Sequence, residues 1–451
     1  MNGKMTEGKP LPILLKFVIP ILLGFIFQQF YNMVDTVIVG RFVGPKALAA
    51  VGSTGTIMFM IMGIANGLTT GYTVLISHQF GAGSKEGTRK AFVNAIILGL
   101  ISTLIVTVIA VLVMPSLLHI MNTPEDIYDY AYAYIITICA GSIALIGYNL
   151  FAASLRAIGN SKTPLYFLIF SAALNIVLDL LFIIVFKLGT FGAALATDIS
   201  QGASAILCII YIYKNVDILK PVKGSWTLDR DFAKKQLNIG IPMALQFGIT
   251  ASGTMVMQAS INIYKSVAIG GFTAAGKVVN LMTAGMPSIG QTTAAFVGQN
   301  YGAGDLDRVN QGTRDAMKIS IIYSVITGIL SVITMPYIVS MFFDKGVNIA
   351  DYLPYSRIYI TEAAFFYIPL AMIFIYRNAM QACGYGKTAL MLGVMELVSR
   401  LLTAFVSMKM NSYAIAVAGD ALSWFTTGVF SYILYKIVMK QLQDRYRQLQ
   451  K

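Results

Sequence analysis

Apolar residues run through this chain in long blocks separated by short polar breaks. Reading block by block predicts twelve helices, near 13–43, 47–76, 88–114, 128–153, 163–186, 190–213, 237–263, 267–297, 311–342, 355–382, 388–408 and 412–438. Runs of about 18 apolar residues or more are long enough to cross the hydrocarbon core of a bilayer. The expected fold class is therefore an all-α integral membrane protein. Lys4, Lys9 and Lys16 precede a first run that is too long for a signal peptide and lacks a small-residue cleavage site, so the first helix is expected to stay as an anchor.

Composition agrees with that reading. Of 451 residues 57% are hydrophobic and only 12% charged, where a soluble domain carries about 25% charged residues. The net charge of +13 could suggest a nucleic-acid partner, but its placement argues against one. Alternate breaks are basic: Lys85, Arg89 and Lys90; Arg156 and Lys162; Lys214, Lys220, Lys223, Arg230, Lys234 and Lys235; Arg308, Arg314 and Lys318; Arg377 and Lys387; and a tail with Lys436, Lys440, Arg445, Arg447 and Lys451. The intervening breaks are poorer in Lys and Arg, and "NTPEDIYD" (122–129) is acidic. Positive loops stay in the cytoplasm, which places both termini and the central loop there. The expected location is the cytoplasmic membrane of a bacterium, with the chain as a multi-pass monomer.

The chain also repeats itself. "QFGAGSKEGTRKA" (79–91) returns as "NYGAGDLDRVNQGTRDA" (300–316), and "LRAIGNSKTP" (155–164) as "MQACGYGKTA" (380–389). Pro20 in "VIPILLG" matches Pro242 in "GIPMALQ". One half is thus a copy of the other, with residues 1–222 expected as the first six-helix bundle and 223–451 as the second. Six crossings per half give both copies the same orientation, an alternating-access design with the substrate cavity expected at their interface.

The energy source narrows by elimination. "GYGKT" (384–388) resembles the tail of a phosphate-binding loop, but the position that would need glycine is Gln381. His78 and His119 lie far apart and are expected to be solvated at the starts of loops. Cys139, Cys208 and Cys383 show no disulfide or metal spacing and read as apolar packing residues. Nothing assembles a nucleophile with a base, so no enzyme activity and no cofactor are expected. A pump built this way would draw on an ion gradient.

The intramembrane polar residues then carry the chemistry, since an acid kept in hydrocarbon is a functional hypothesis by default. Asp179 and Asn175 share one helix face at i, i+4 spacing. By the helical rise of about 1.5 Å per residue, Asp35 lies ~12 Å below the outer end of its helix, and Asp179 and Thr197 each ~10 Å below theirs. Two carboxylates, an amide and a hydroxyl at one level are hard oxygen ligands suited to Na⁺, and two close carboxylates also make a proton acceptor. The aligned positions of the second half are Met257, Arg400, Ala404 and Gly419, with no oxygen-bearing side chain among them. Gln28, Tyr31, Asn149 and Glu362 are candidate cavity residues, and Pro20 can bend the first helix. Glu396 and Arg400, four residues apart, are expected to pair. Asp198 and Asp420 hold equivalent places and are expected to share a structural role. Lys277 is expected to snorkel or to cap a carboxylate.

With Pro20, Asp35, Asn175, Asp179, Thr197 and the paired "GAG" loops in view, the chain resembles the multidrug and toxic compound extrusion family from about residue 10 to residue 440. That resemblance implies a V-shaped pair of six-helix bundles exporting amphipathic, often cationic, compounds in exchange for Na⁺ or H⁺. It also implies a first-half cation site at Asp35, Asn175, Asp179 and Thr197, and bending of the first helix at Pro20. Some members pair an acid on helix 7 with one on helix 10; here 237–264 holds no acid, so Glu362 alone cannot reproduce that pair. The alternative within the same superfamily is a flippase of lipid-linked saccharides, whose groove would need basic residues, with Lys277 and Arg400 the candidates. The expected partners are small molecules and the bilayer, without nucleic acid.

Overall fold

The computed structural model describes residues 4–449 apart from 122, 223, 265 and 342–347. Asn122, Lys223, Phe342 and Lys451, which the sequence reading uses, lie outside the described residues. The first half holds α1 (Pro10–Phe42), α2 (Pro45–Ser53), α3 (Gly55–Gly81), α4 (Lys85–Ile120), α5 (Glu125–Ala140), α6 (Ser142–Ala157), α7 (Lys162–Asp179) and α8 (Gly189–Asn215). The second holds α9 (Arg230–Ile261), α10 (Ser266–Thr283), α11 (Gly285–Gly302), α12 (Leu306–Ser340), α13 (Leu353–Phe365), α14 (Tyr367–Ala382), α15 (Gly386–Met410) and α16 (Tyr413–Leu449). Among the described residues there is no strand.

Among the described residues ten helical segments are long and apolar enough to cross a membrane. The bent pairs α5–α6 and α13–α14, kinked by 48° and 49°, raise the number to twelve. The kinks sit at Gly141 and Phe366, and α6 and α14 begin and end at positions displaced by the same 225 residues. Large apolar side chains such as Leu104, Ile109 and Leu112 on α4 and Ile322, Ile329 and Ile333 on α12 stand exposed along the outer faces. In water such faces would drive association; in hydrocarbon they are matched to their solvent.

The repeated motifs are helix-ending turns. Gly83, Gly159, Gly304 and Gly384 all have φ between 73° and 90°, the left-handed conformation that glycine adopts without steric cost. In each turn the next amide reaches back five residues: Ser84 N to Gln79 O, Asn160 N to Leu155 O, Asp305 N to Asn300 O and Tyr385 N to Met380 O. This is the Schellman closure of a helix C-terminus. Ser84 and Asp305 then cap the following helices, their side chains accepting from Gly87 N and Arg308 N at 3.0 and 2.8 Å. "GYGKT" is one of these turns, between α14 and α15.

The chain forms two compact units. The first comprises residues 1–7, 16–244 and 302–304, and the second 8–15, 245–301 and 305–451. Within the first, α3 crosses the opening half of α9 at glycines. A methyl at Gly71 would overlap Gly240 Cα, and one at Gly67 would lie 2.7 Å from Ala244 N. Small residues let helix backbones approach this closely in a bilayer. Buried Gln236 of α9 donates to the carbonyls of Tyr72 and Ala91 at 2.9 and 2.8 Å.

Two residues differ from their expected settings. Arg377 is not in a loop: it is buried on α14, over the Phe374 ring at 5.1 Å, one and a half turns before the helix ends. His78 is part of the last turn of α3 and only partly exposed. His119 is exposed and stacked on Tyr128 at 5.2 Å.

Candidate functional site

Four expected residues of the first half come together inside the first unit. Asp35 lies on α1, Asn175 and Asp179 on α7, and Thr197 on α8, and all four are buried, Asp179 completely. The Asn175 amide donates to Thr197 Oγ1 at 3.4 Å, and Thr197 donates to Ala193 O at 3.2 Å. The Asp35 and Asp179 carboxyl groups are within hydrogen-bonding reach of one another.

What these oxygens lack is decisive. Both oxygens of Asp179, Oδ1 of Asp35 and Oδ1 of Asn175 are buried and receive no N–H or hydroxyl donor. A buried acceptor without a partner costs about 1–3 kcal/mol, and an ionised one more. Two carboxylates facing each other in a low-dielectric interior cannot both stay charged unless a cation or a proton lies between them. Four unsatisfied oxygens fit either: a hard monovalent ion such as Na⁺, or a proton shared by the pair.

Asp179 is the last residue of regular α-helix in α7. From Leu180 to Val185 the backbone is π-helical, a widened turn found often at functional sites. The segment closes through Lys187 (φ 55°) and Gly189 (φ 60°) into α8. An apolar cluster of Ile38, Val39, Ala47, Tyr134, Ile138, Ile183, Ala193 and Ala194 packs α1, α2, α5, the π-helical turn and α8 together beside the acids and keeps water from that side.

Tyr31, one turn from Asp35, is buried, and its hydroxyl is within hydrogen-bonding reach of Gln28 and Gln201. Two of the expected cavity residues thus neighbour one another on α1, just before Asp35. Asn149 stands apart from the acid pair, its amide donating to Leu145 O on its own helix at 2.8 Å. Glu362 belongs to the second unit, partly buried, with Oε2 unpartnered. Pro20 lies within α1, which runs unbroken through it. Lys277 is exposed on α10.

Sequence reasoning missed Gln201 and Tyr134. Gln201 stands one turn after Thr197 on the same face of α8, a spacing that could have revealed it. Tyr134 reaches the site from α5, which only the fold can show.

Asp198 and Asp420, expected to share a structural role, are held by different partners. The Asp198 carboxylate packs onto Gly141, where a methyl would overlap it. That places the acid at the N-terminal end of α6, where the helix dipole favours negative charge. Asp420 instead holds Arg400, with Oδ1 at 3.1 Å from Nη2 and 3.2 Å from Nε, and its Oδ2 accepts from the Tyr359 hydroxyl at 2.8 Å. The expected Glu396–Arg400 pair is present at 3.4 Å.

Comparison with known proteins follows the same outline. A sequence model of the MatE family matches twice, over residues 20–181 and 242–406. The chain is 28% identical over 394 residues to the probable multidrug resistance protein YpnP of Bacillus subtilis (strain 168), covering 87% of this chain and 86% of that protein. It is 22% identical over 393 residues to the multidrug export protein MepA of Staphylococcus aureus (strain NCTC 8325 / PS 47), covering 85% and 84%. A solved outward-facing multidrug resistance MATE family transporter superposes with a TM-score of 0.90 at 20% identity, over 98% of both chains, which shows the same fold.

Proposed function

Because the chain belongs to the MatE family of transporters, we propose that it is an antiporter that exports amphipathic, cationic small molecules and draws its energy from Na⁺ or H⁺ bound at Asp35, Asn175, Asp179 and Thr197. The observation that carries this reading is the pair of buried carboxyl groups in mutual reach with three of their oxygens unpartnered. An empty site with one or two negative charges in low dielectric attracts a cation strongly. A bound cation or proton cancels one of those charges and satisfies the facing oxygens. That difference couples occupancy to the packing of α1 against α7 and α8, and Pro20, which leaves one backbone carbonyl of α1 free, gives the helix a place to yield. The export of drugs is supported by the relatives named for multidrug resistance and export. Cytoplasmic termini in a bacterial cell membrane follow from the basic breaks, and the chain would act as a monomer without a cofactor.

Antiport is favoured over saccharide-lipid flipping by the setting of Arg400. A flippase would present a free basic group to a pyrophosphate, whereas this guanidinium is buried between two carboxylates.

The test is ethidium efflux from energised cells lacking their own pumps, comparing the parent with Asp179→Asn at matched expression. The parent is expected to export the dye and the variant to lose at least tenfold in rate, and Na⁺-free buffer then separates the two ions. Equal export by both would move the coupling site elsewhere, with Glu362 next to be examined. Export by neither, across several cationic dyes, would favour the flippase.

A further inference from the structure

The second repeat holds a charge cluster around Arg400, the residue that stands where the first repeat has Asn175. Arg400 on α15 is only 4% exposed. Its guanidinium meets Glu396 Oε2 at 3.4 Å and Asp420 Oδ1 at 3.1 Å, the latter from α16. Tyr359 of α13 donates to the other oxygen of Asp420, and Thr250 of α9 donates to Glu396 at 3.3 Å. Gly253 of α9 leaves room for the guanidinium, since a methyl there would lie 3.2 Å from Nη1. Arg377 on α14 is also within electrostatic reach of Glu396.

The register gives this cluster its meaning. The displacement of 225 residues that relates α6 to α14 also carries Tyr134 onto Tyr359 and Asn175 onto Arg400. Asp198 falls onto Asp420 with a displacement of 222 residues. Each copy thus has two carboxylates, a tyrosine and a threonine around the position of Asn175 or Arg400, but the carboxylates come from different places in the repeat, Asp35 and Asp179 in the first and Glu396 and Asp420 in the second. In the first copy three of the four carboxylate oxygens lack partners. In the second the same kind of shell is filled by a positive charge covalently attached to the chain. A buried guanidinium serves only if its full fork of donors is matched, and here each carboxylate takes part of it.

Resting on the first-half coupling site proposed above, we propose that Arg400 is a tethered cation, the second repeat's permanent substitute for the exchangeable ion of the first. Glu396, Asp420, Thr250 and Tyr359 then form a monovalent-cation site that the chain itself occupies. One coupling ion is exchanged per cycle because only the first repeat's acids lack a tethered charge. Removing the arginine charge uncovers the second site.

The test uses purified full-length protein with Asp179→Asn, so that the first site cannot respond. Thermal stability is measured for Asp179→Asn alone and with Arg400→Gln or Arg400→Lys, in Na⁺ or N-methylglucamine at equal ionic strength, and from neutral to mildly acidic pH. The glutamine double variant is expected to be destabilised without a small cation and to recover by several degrees, saturably, with Na⁺ or protons. The lysine double variant, which keeps a tethered charge, and Asp179→Asn alone are expected to show no such recovery. A glutamine variant that ignores both ions, or that fails to fold under every ion condition, overturns the proposal. A lysine variant with the same ion dependence overturns it too. The first-half reading is judged separately: it fails if the parent, with Asp179 intact, shows no ion-dependent stabilisation that Asp179→Asn removes. That result leaves the second-site readout untouched.

Discussion

The two repeats share one plan and differ in how they treat buried charge. In the first, Asp35 and Asp179 face each other with oxygens that nothing in the chain satisfies. In the second, Glu396 and Asp420 are held by Arg400, and the cluster is closed by Tyr359 and Thr250. The lesson is that each repeat carries its own pair of acids, at different places in the repeat, and the residue at the position of Asn175 or Arg400 decides whether that pair exchanges ions. A site left incomplete is where an ion can do work. A site completed from within becomes part of the scaffold.

The sharpest way to break this contrast is Asp420→Asn. Removing one partner of a buried ion pair costs about 3–5 kcal/mol because the remaining charge is left uncompensated. Glu396 still holds one side of Arg400, and asparagine can still accept from Tyr359, so the expected loss is at the lower end, about 3 kcal/mol. It should appear as a clear drop in the thermal midpoint of the purified protein. An unchanged midpoint would mean that Arg400 does not depend on Asp420, and the second repeat could not be called closed.

Asp179→Asn sharpens the same contrast from the other side. It also removes a buried acid, but one without a donor, and an asparagine amide can donate to Asp35. The midpoint in ion-free buffer is expected to stay level or to rise by the worth of about one hydrogen bond, ~1 kcal/mol, while efflux is lost. A loss of stability as large as that of Asp420→Asn would show that Asp179 is a structural acid and would remove the difference between the repeats.

The sequence carried much of this and stopped at identifiable points. Twelve crossings, the repeat, the four first-half residues at one level and the Glu396–Arg400 pair follow from hydropathy, spacing and helical rise, which are local or periodic properties. The π-helical turn after Asp179 leaves no trace in "LDLLFIIVF", where every residue suits an ordinary apolar helix. The burial of Arg377 was hidden because a loop arginine and an arginine one and a half turns inside a helix differ by only a few positions. The divergence of Asp198 and Asp420 depends on partners far along the chain, Gly141 for one and Arg400 for the other, so identical register gave no warning.

A pair outside the membrane gives the smallest effect and the control for the other two. Asp229 in the linker meets Lys90 at 2.6 Å and accepts from the amides of Asp231 and Phe232 at the start of α9. The Lys90 ammonium beside it and the Phe232 N–H hold its carboxyl below the usual carboxylate range. A lowered pKa in the folded state means that the stabilisation is present at neutral pH and is lost only as pH falls below about 4, the unfolded value, towards the folded one. Water screens this ion pair, and surface pairs contribute little. Asp229→Ala is therefore expected to shift the thermal midpoint far less than Asp420→Asn at neutral pH, and to merge with the parent in acid. A neutral-pH loss matching that of Asp420→Asn would show that burial is not what separates these pairs, and the contrast between the repeats would then need another physical basis.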